Sequence, residues 1–218
     1  FNTINTEKAT NSMEIYDSNI IINTESNETT HYSVADKNGM AVSVTTTLNG
    51  WYGNGITVDG AGFLLNNEMD DFSIKPGYPN AYGLVGNEAN AIEPNKRMLS
   101  SMSPTIVEDP QGNLFLVVGS PGGSTIITTV TQILSNVIDF NMEIDQAVES
   151  RRIHHQCLPD VIQLENYTLP YDVINKLSSY GHSFKYRSSI GEANCIMFKN
   201  NMFFGSADSR RNASALAY

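Results

Sequence analysis

Thr29 and Thr30 stand directly behind an Asn-, Ser- and Glu-rich stretch and open a run, Thr-Thr-His-Tyr-Ser-Val, that alternates like a strand. A Thr hydroxyl is a poor nucleophile at neutral pH unless a base takes its proton. A chain-terminal Thr carries that base itself, because an α-amine titrates near ~8 and lies one carbon away. Thr29 gains such an amine only if the Glu28–Thr29 peptide bond is cut. The Thr29 hydroxyl could make that cut by attacking the Glu28 carbonyl, shifting the acyl group from N to O and leaving an ester for water to hydrolyse. Taken alone, the Thr pair would mean only β-propensity.

Three further polar clusters could serve such a nucleophile. Asn66-Asn67-Glu68-Met69-Asp70-Asp71 follows the apolar Phe63-Leu64-Leu65, which places its carboxylates at a strand end. Ser100 and Ser101 lie in Leu-Ser-Ser-Met-Ser-Pro, and Gly119-Ser120-Pro121-Gly122-Gly123 runs straight into an apolar helix. Backbone N–H groups at a helix start are unpaired, and glycine lets them approach a substrate, so Gly122 and Gly123 suit an oxyanion hole. In isolation these clusters also read as a solvated turn, an ordinary loop and a hinge. His154-His155-Gln156 reads as structural, since no carboxylate stands at metal-ligand spacing; no metal site is expected.

The elements that must position these groups follow from periodicity. Residues 31–35 and 40–48 alternate about Asp36-Lys37-Asn38-Gly39, a hairpin with a tight turn. Residues 75–94 carry too many Pro and Gly for regular structure and form a long loop. A second hairpin is expected over 105–108 and 114–118. Apolar residues at Ile126, Ile127, Val130, Ile133, Leu134, Val137 and Ile138 give a largely buried helix over 124–139. Helices are expected over 141–151, with Ile144, Ala147 and Val148 inward, and over 170–180, with strands over 161–164, 184–186, 194–198 and 202–204. This order suits layered α+β with mostly antiparallel sheets.

The chain has 218 residues, 40% of them hydrophobic, enough for one sizeable core. Its net charge is −10, and Lys96-Arg97, Arg151-Arg152 and Arg210-Arg211 read as isolated pairs, so nucleic acid is not an expected partner. Cys157 and Cys195 are far apart in sequence; they could pair or stay free, and two buried thiols is the simpler reading. No apolar run reaches the roughly 20 residues of a membrane span. The first residue is Phe1, not Met, which leads us to expect a processed product or fragment, with any export signal lying outside it.

In order and spacing, these four clusters resemble the small subunit of the gamma-glutamyltransferases (glutathione hydrolases), most closely from Ser26 to about His155. The resemblance implies the four-layer αββα sandwich of N-terminal-nucleophile hydrolases, half of it supplied by a large subunit cut from the same precursor. It divides the chain into residues 1–28, the tail of that large subunit, and 29–218, the catalytic subunit as one domain. It makes Thr29 the nucleophile and Glu28–Thr29 the bond broken, with Thr47 hydrogen-bonded to the freed amine. For the γ-glutamyl group it implies Asn49, Glu68 and Asp71 on the α-ammonium and Ser100 and Ser101 on the α-carboxylate. Some relatives carry Gln where Glu68 stands, and the family's Arg for the carboxylate comes from the large subunit. Tyr82 falls at the tip of a lid. The implied substrates are glutathione or related γ-glutamyl compounds with water, amino acids or dipeptides as acceptors, and no cofactor. A periplasmic or secreted location follows from the bacterial members. Two other readings stay open: a relative acting on poly-γ-glutamate or other acyl amides, and an unprocessed, non-catalytic subunit. The sequence departs from the family pattern at Cys157, where an aromatic is usual, and at Ser206-Ala207-Asp208-Ser209-Arg210, where Ser-Asp-Pro-Arg is usual.

Overall fold

The computed structural model describes residues 5–15, 29–78 and 86–218; Glu28 and Tyr82 lie outside the described residues. Before Thr29, the described residues 5–15 contain a helical turn, α1 (Ser12–Ile15). This segment is anchored on the body of the chain: the Ala9 N–H donates to the Tyr180 carbonyl at 2.7 Å and the Ser12 N–H to Asp160 at 2.7 Å.

The first hairpin is β1 (Thr29–Ala35) with β2 (Ala41–Thr47), paired from Thr29↔Thr47 to Ala35↔Ala41. Its turn closes because the Asp36 carboxylate accepts the N–H groups of Asn38 and Met40 at 2.8 and 2.9 Å. Strand period two puts Thr29, His31 and Ser33 on one face and Tyr32 and Val34 on the other. The second hairpin, β3 (Thr105–Glu108) and β4 (Leu114–Val118), matches its expected bounds. Helices α2 (Thr125–Ile138) and α3 (Ile144–Glu149) follow, then β5 (Ile153–His154), β6 (Ile162–Glu165), α4 (Tyr171–Ser179) and β7 (Phe184–Arg187). The described chain closes with β8 (Asn194–Lys199) and β9 (Met202–Ala207).

The sheet β3-β4-β8-β9 is antiparallel throughout, while in β5-β6-β7 the last pair is parallel, joined through α4 as a parallel crossover requires. Leu116, Val118, Cys195 and Met197 turn toward the helices and share one core with Ile126, Val130, Ile133, Val137, Ile144, Ala147 and Val148. On the opposite face Val117 is also fully buried. There the first hairpin is fastened by Ser43 Oγ donating to the Val118 carbonyl, Ser33 Oγ to that of Asn194, and Asn194 Nδ2 to that of His31. Hairpin, sheet and helices thus form three successive layers of the expected α+β class.

The basic pairs are not all isolated. Arg152 is 1% exposed and donates to Asp208 at 2.7 Å and to the carbonyls of Val148 and Ile190. Arg210 bridges Glu165 at 2.6 Å and Asp208 at 3.0 Å. Burial pushes both carboxyls up, yet Arg210 hydrogen-bonded to Glu165 and the Arg152 charge beside Asp208 hold them below the usual carboxylate range. The departure at 206–210 therefore keeps the two residues that pair. Cys157 is half-buried, not buried as expected, while Cys195 is buried with its thiol pushed up to about 12 by that burial; both are free.

Candidate active site

Thr29 begins β1 and faces Thr47 across the hairpin, and both line a cavity of about 520 Å³. Asn49, Asp71, Ser100, Ser101 and Gly123 line the same cavity, so most of the residues singled out in the sequence converge on one space. Glu68 and Gly122 stand behind that lining.

Each wall has a local cause. Asn49 follows β2 at φ 69, in the left-handed region that Asn tolerates, and its N–H donates to Thr47 Oγ1 at 2.8 Å. Its side-chain amide donates to the Asn67 carbonyl at 3.2 Å, tying the end of the hairpin to the acidic cluster. That cluster is not a strand end: Leu64 makes only an isolated bridge to Thr57, and Glu68–Asp71 is a 3-10 helix. In a 3-10 helix, residues i and i+3 eclipse, which brings the Glu68 and Asp71 carboxyls together. Burial first, and then the Asp71 charge and hydrogen bond, push Glu68 up to about 7. Asp71 is raised as well, by burial against the hydrogen bond from Glu68. Oε1 of Glu68 is buried and accepts no hydrogen bond among the described residues. Two carboxyls this close, both raised, titrate as a coupled pair.

The serines differ in their engagement. Ser101 Oγ donates to the Gly123 carbonyl at 3.0 Å, linking the serine segment to the glycine loop, while Ser100 Oγ accepts the Met102 N–H at 3.2 Å. The glycine loop leaves β4 and enters α2 with Gly122 at φ 133 and Gly123 at φ 56. Gly122 is closed in, since a Cβ there would lie 2.5 Å from Thr125 Oγ1. The Gly122 and Gly123 carbonyls are taken by the Thr125 and Ile126 N–H groups, whereas their own N–H groups find no acceptor among the described residues.

Behind Thr29, the His31 ring is buried and bonded through Nδ1 to Thr45 Oγ1 at 2.8 Å and through Nε2 to Ser33 Oγ at 3.1 Å. Burial pushes it down to about 4, against the pull of its Asn194 contact, so the ring is neutral. It lies against Gly119, where a Cβ would collide with it. No motif marked this contact, nor Lys75, which with Tyr78 lines the cavity from the long loop. Ile127, expected in the core, is half exposed and lines the cavity instead. His154 is structural, held between Thr128 Oγ1 at 2.8 Å and Gln156 Oε1 at 2.9 Å.

The family model described as Gamma-glutamyltranspeptidase matches residues 1–218. The chain is 51% identical over 187 residues to the glutathione hydrolase proenzyme of Escherichia coli, covering 85% of this chain and 32% of that protein. To that of Pseudomonas aeruginosa it is 53% identical over 161 residues, covering 73% and 29%. The chain thus spans about a third of the length of these curated relatives. A crystal structure of a Thr-to-Ala mutant of Helicobacter pylori gamma-glutamyltranspeptidase superposes with a TM-score of 0.79 at 57% identity, covering 84% of this chain and 100% of that one. With the match running end to end and the cavity built from the same clusters, the chain belongs to the gamma-glutamyltranspeptidase family.

Proposed function

We propose that this chain is the catalytic part of a gamma-glutamyl transferase and hydrolase whose nucleophile, Thr29, is released by its own attack on the Glu28–Thr29 bond. The observation that carries the reading is the meeting, around one cavity, of the first residue of β1, a carboxyl pair, a serine pair and a glycine loop whose N–H groups find no acceptor among the described residues. After cleavage the Thr29 amine, near Thr47 and with a pKa near ~8, takes the hydroxyl proton. The hydroxyl oxygen attacks the γ-carbonyl, and the Gly122 and Gly123 N–H groups receive the oxyanion. Collapse expels the leaving amine, which takes the proton, and leaves a γ-glutamyl ester on Thr29. Water or an acceptor amine then displaces the ester. Asn49, Asp71 and Glu68 hold the α-ammonium, and Ser100 and Ser101 the α-carboxylate. The amine, hydroxyls and backbone amides carry every step, so no cofactor enters.

The chain divides at residue 29 into a large-subunit tail and a catalytic domain. The outer face of the hairpin, with Tyr32, Val34 and Val42 each about half exposed, supports a large subunit as the partner that covers it. That subunit also brings the Arg for the α-carboxylate. Glutathione is the donor that the names of the relatives suggest, and a periplasmic or secreted location belongs to the reading. Among the described residues, no helix is long and apolar enough to cross a membrane. The family resemblance gives Tyr82 the role of a lid residue that limits water. Hydrolysis of γ-glutamyl-p-nitroanilide by the full-length protein tests the reading: nitroaniline release, accelerated by glycylglycine, is expected, and no release under either condition refutes it.

A further inference from the structure

We infer that Lys75 selects substrates whose leaving group, or whose acceptor amine, ends in a carboxylate. The inference rests on the γ-glutamyl reading and extends it to the other half of the substrate. Among the described residues that line the cavity, Lys75 is the one cation, against the acidic Asp70 and Asp71. Its ammonium is presented by a built turn. Lys75-Pro76-Gly77-Tyr78 closes with the Tyr78 N–H donating to the Lys75 carbonyl at 3.0 Å, and Gly77 sits at φ 81. Pro at the second position and a left-handed Gly at the third are what a type II turn demands. The Gly77 N–H is held by the Gly86 carbonyl at 2.9 Å, and that of Ser73 by Asn90 at 2.9 Å, so both flanks of the turn are tied down. The turn stacks Lys75 Nζ over the Tyr78 ring, 3.6 Å from its centroid, which orients the charge without neutralising it. Among the described residues Lys75 forms no ion pair.

The chemistry of the substrate says what this cation meets. The α-ammonium and α-carboxylate of the glutamyl group are assigned to Asn49, Glu68, Asp71, Ser100 and Ser101, and the scissile amide to Thr29. What remains is the group beyond the amide, and in a γ-glutamyl peptide that group ends in a carboxylate. A peptide acceptor, entering where the leaving group departed, carries the same terminal charge.

The test compares donors that share the glutamyl half and differ beyond it. In the full-length protein, kcat/KM is measured for glutathione and for γ-glutamyl-p-nitroanilide, whose leaving group is uncharged, in the parent, Lys75→Met and Lys75→Arg. The ratio of the two values is expected to fall about fivefold in Lys75→Met, the scale of an exposed ion pair, and to recover in Lys75→Arg. In the parent, the same ratio falls as salt is added. For acceptors, the KM of glycylglycine should rise in Lys75→Met while that of glycylglycine amide does not follow. A donor ratio unchanged in Lys75→Met overturns the inference; an equal loss on both donors does so too, by placing Lys75 on the shared glutamyl half. A parent enzyme that turns over neither donor refutes the γ-glutamyl reading itself, a different failure.

Discussion

A single methyl group added at Gly119 should disable Thr29 through the His31 ring, which lies against Gly119 and two residues along β1 from Thr29. A Cβ on Gly119 would lie 2.7 Å from Nε2 of His31 and closer still to Cε1 and Nδ1. Ordinary carbon contacts need about 3.5 Å, so the ring must retreat by roughly an ångström. It cannot swing aside, because it is buried and both nitrogens are engaged, by Thr45 at 2.8 Å and Ser33 at 3.1 Å. β1 must therefore yield, and Thr29 lies two residues along the same face of that strand. Overpacking of this kind costs about 1–3 kcal/mol of stability. A nucleophile displaced by about 1 Å costs on the order of 100-fold in rate. In the full-length protein, Gly119→Ala should slow cleavage before Thr29 on a denaturing gel and lower kcat on γ-glutamyl-p-nitroanilide by roughly two orders of magnitude. Because the collision is with one ring, adding His31→Ala should return part of that activity, a non-additivity expected of residues in contact. A Gly119→Ala enzyme with parental kcat, or a double variant slower than the single one, would refute the reasoning.

Two further outcomes follow from charge. Glu68 is pushed up to about 7 from an ordinary 4.5, so the stability its protonated form contributes is full below 4.5 and is lost as the pH rises through about 7. An ammonium substrate needs the deprotonated pair, so KM for a γ-glutamyl donor should rise as the pH falls below about 7, and Glu68→Gln should flatten that rise; a parent KM flat from pH 8 to 5.5 contradicts the assignment. Asp208→Asn removes the carboxylate that pairs directly with the buried Arg152 and should cost about 3–5 kcal/mol in urea unfolding at pH 7, against less than about 1 kcal/mol if the network is dispensable.

Much of this was legible because local patterns report local structure. Alternation about Asp36–Gly39 places the first hairpin, and the period of Ile126, Val130, Ile133 and Val137 places α2 on its core. The polar clusters announce the site because a substrate with charges at one end needs opposite groups near one nucleophile. What stayed hidden depends on non-local packing. The apolar Phe63–Leu65 run suggests a strand, yet the segment ends in a 3-10 helix, and only that geometry sets Glu68 against Asp71. Arg152 and Arg210 belong to one network across distant stretches of chain, which no pairwise spacing reveals. Nothing in the sequence says that Ile127 turns outward into the cavity, or that Gly119 is small to admit His31.

The central claim is that Thr29 severs the bond that precedes it and then works with the amine this frees. Intact mass analysis of the full-length protein under denaturing conditions, alongside Thr29→Ala, addresses it directly. The account predicts two polypeptides, the smaller starting at Thr29, in the active parent and one uncut, inactive chain in the variant. An active parent that remains a single polypeptide, or a Thr29→Ala variant that still divides before residue 29, would contradict it.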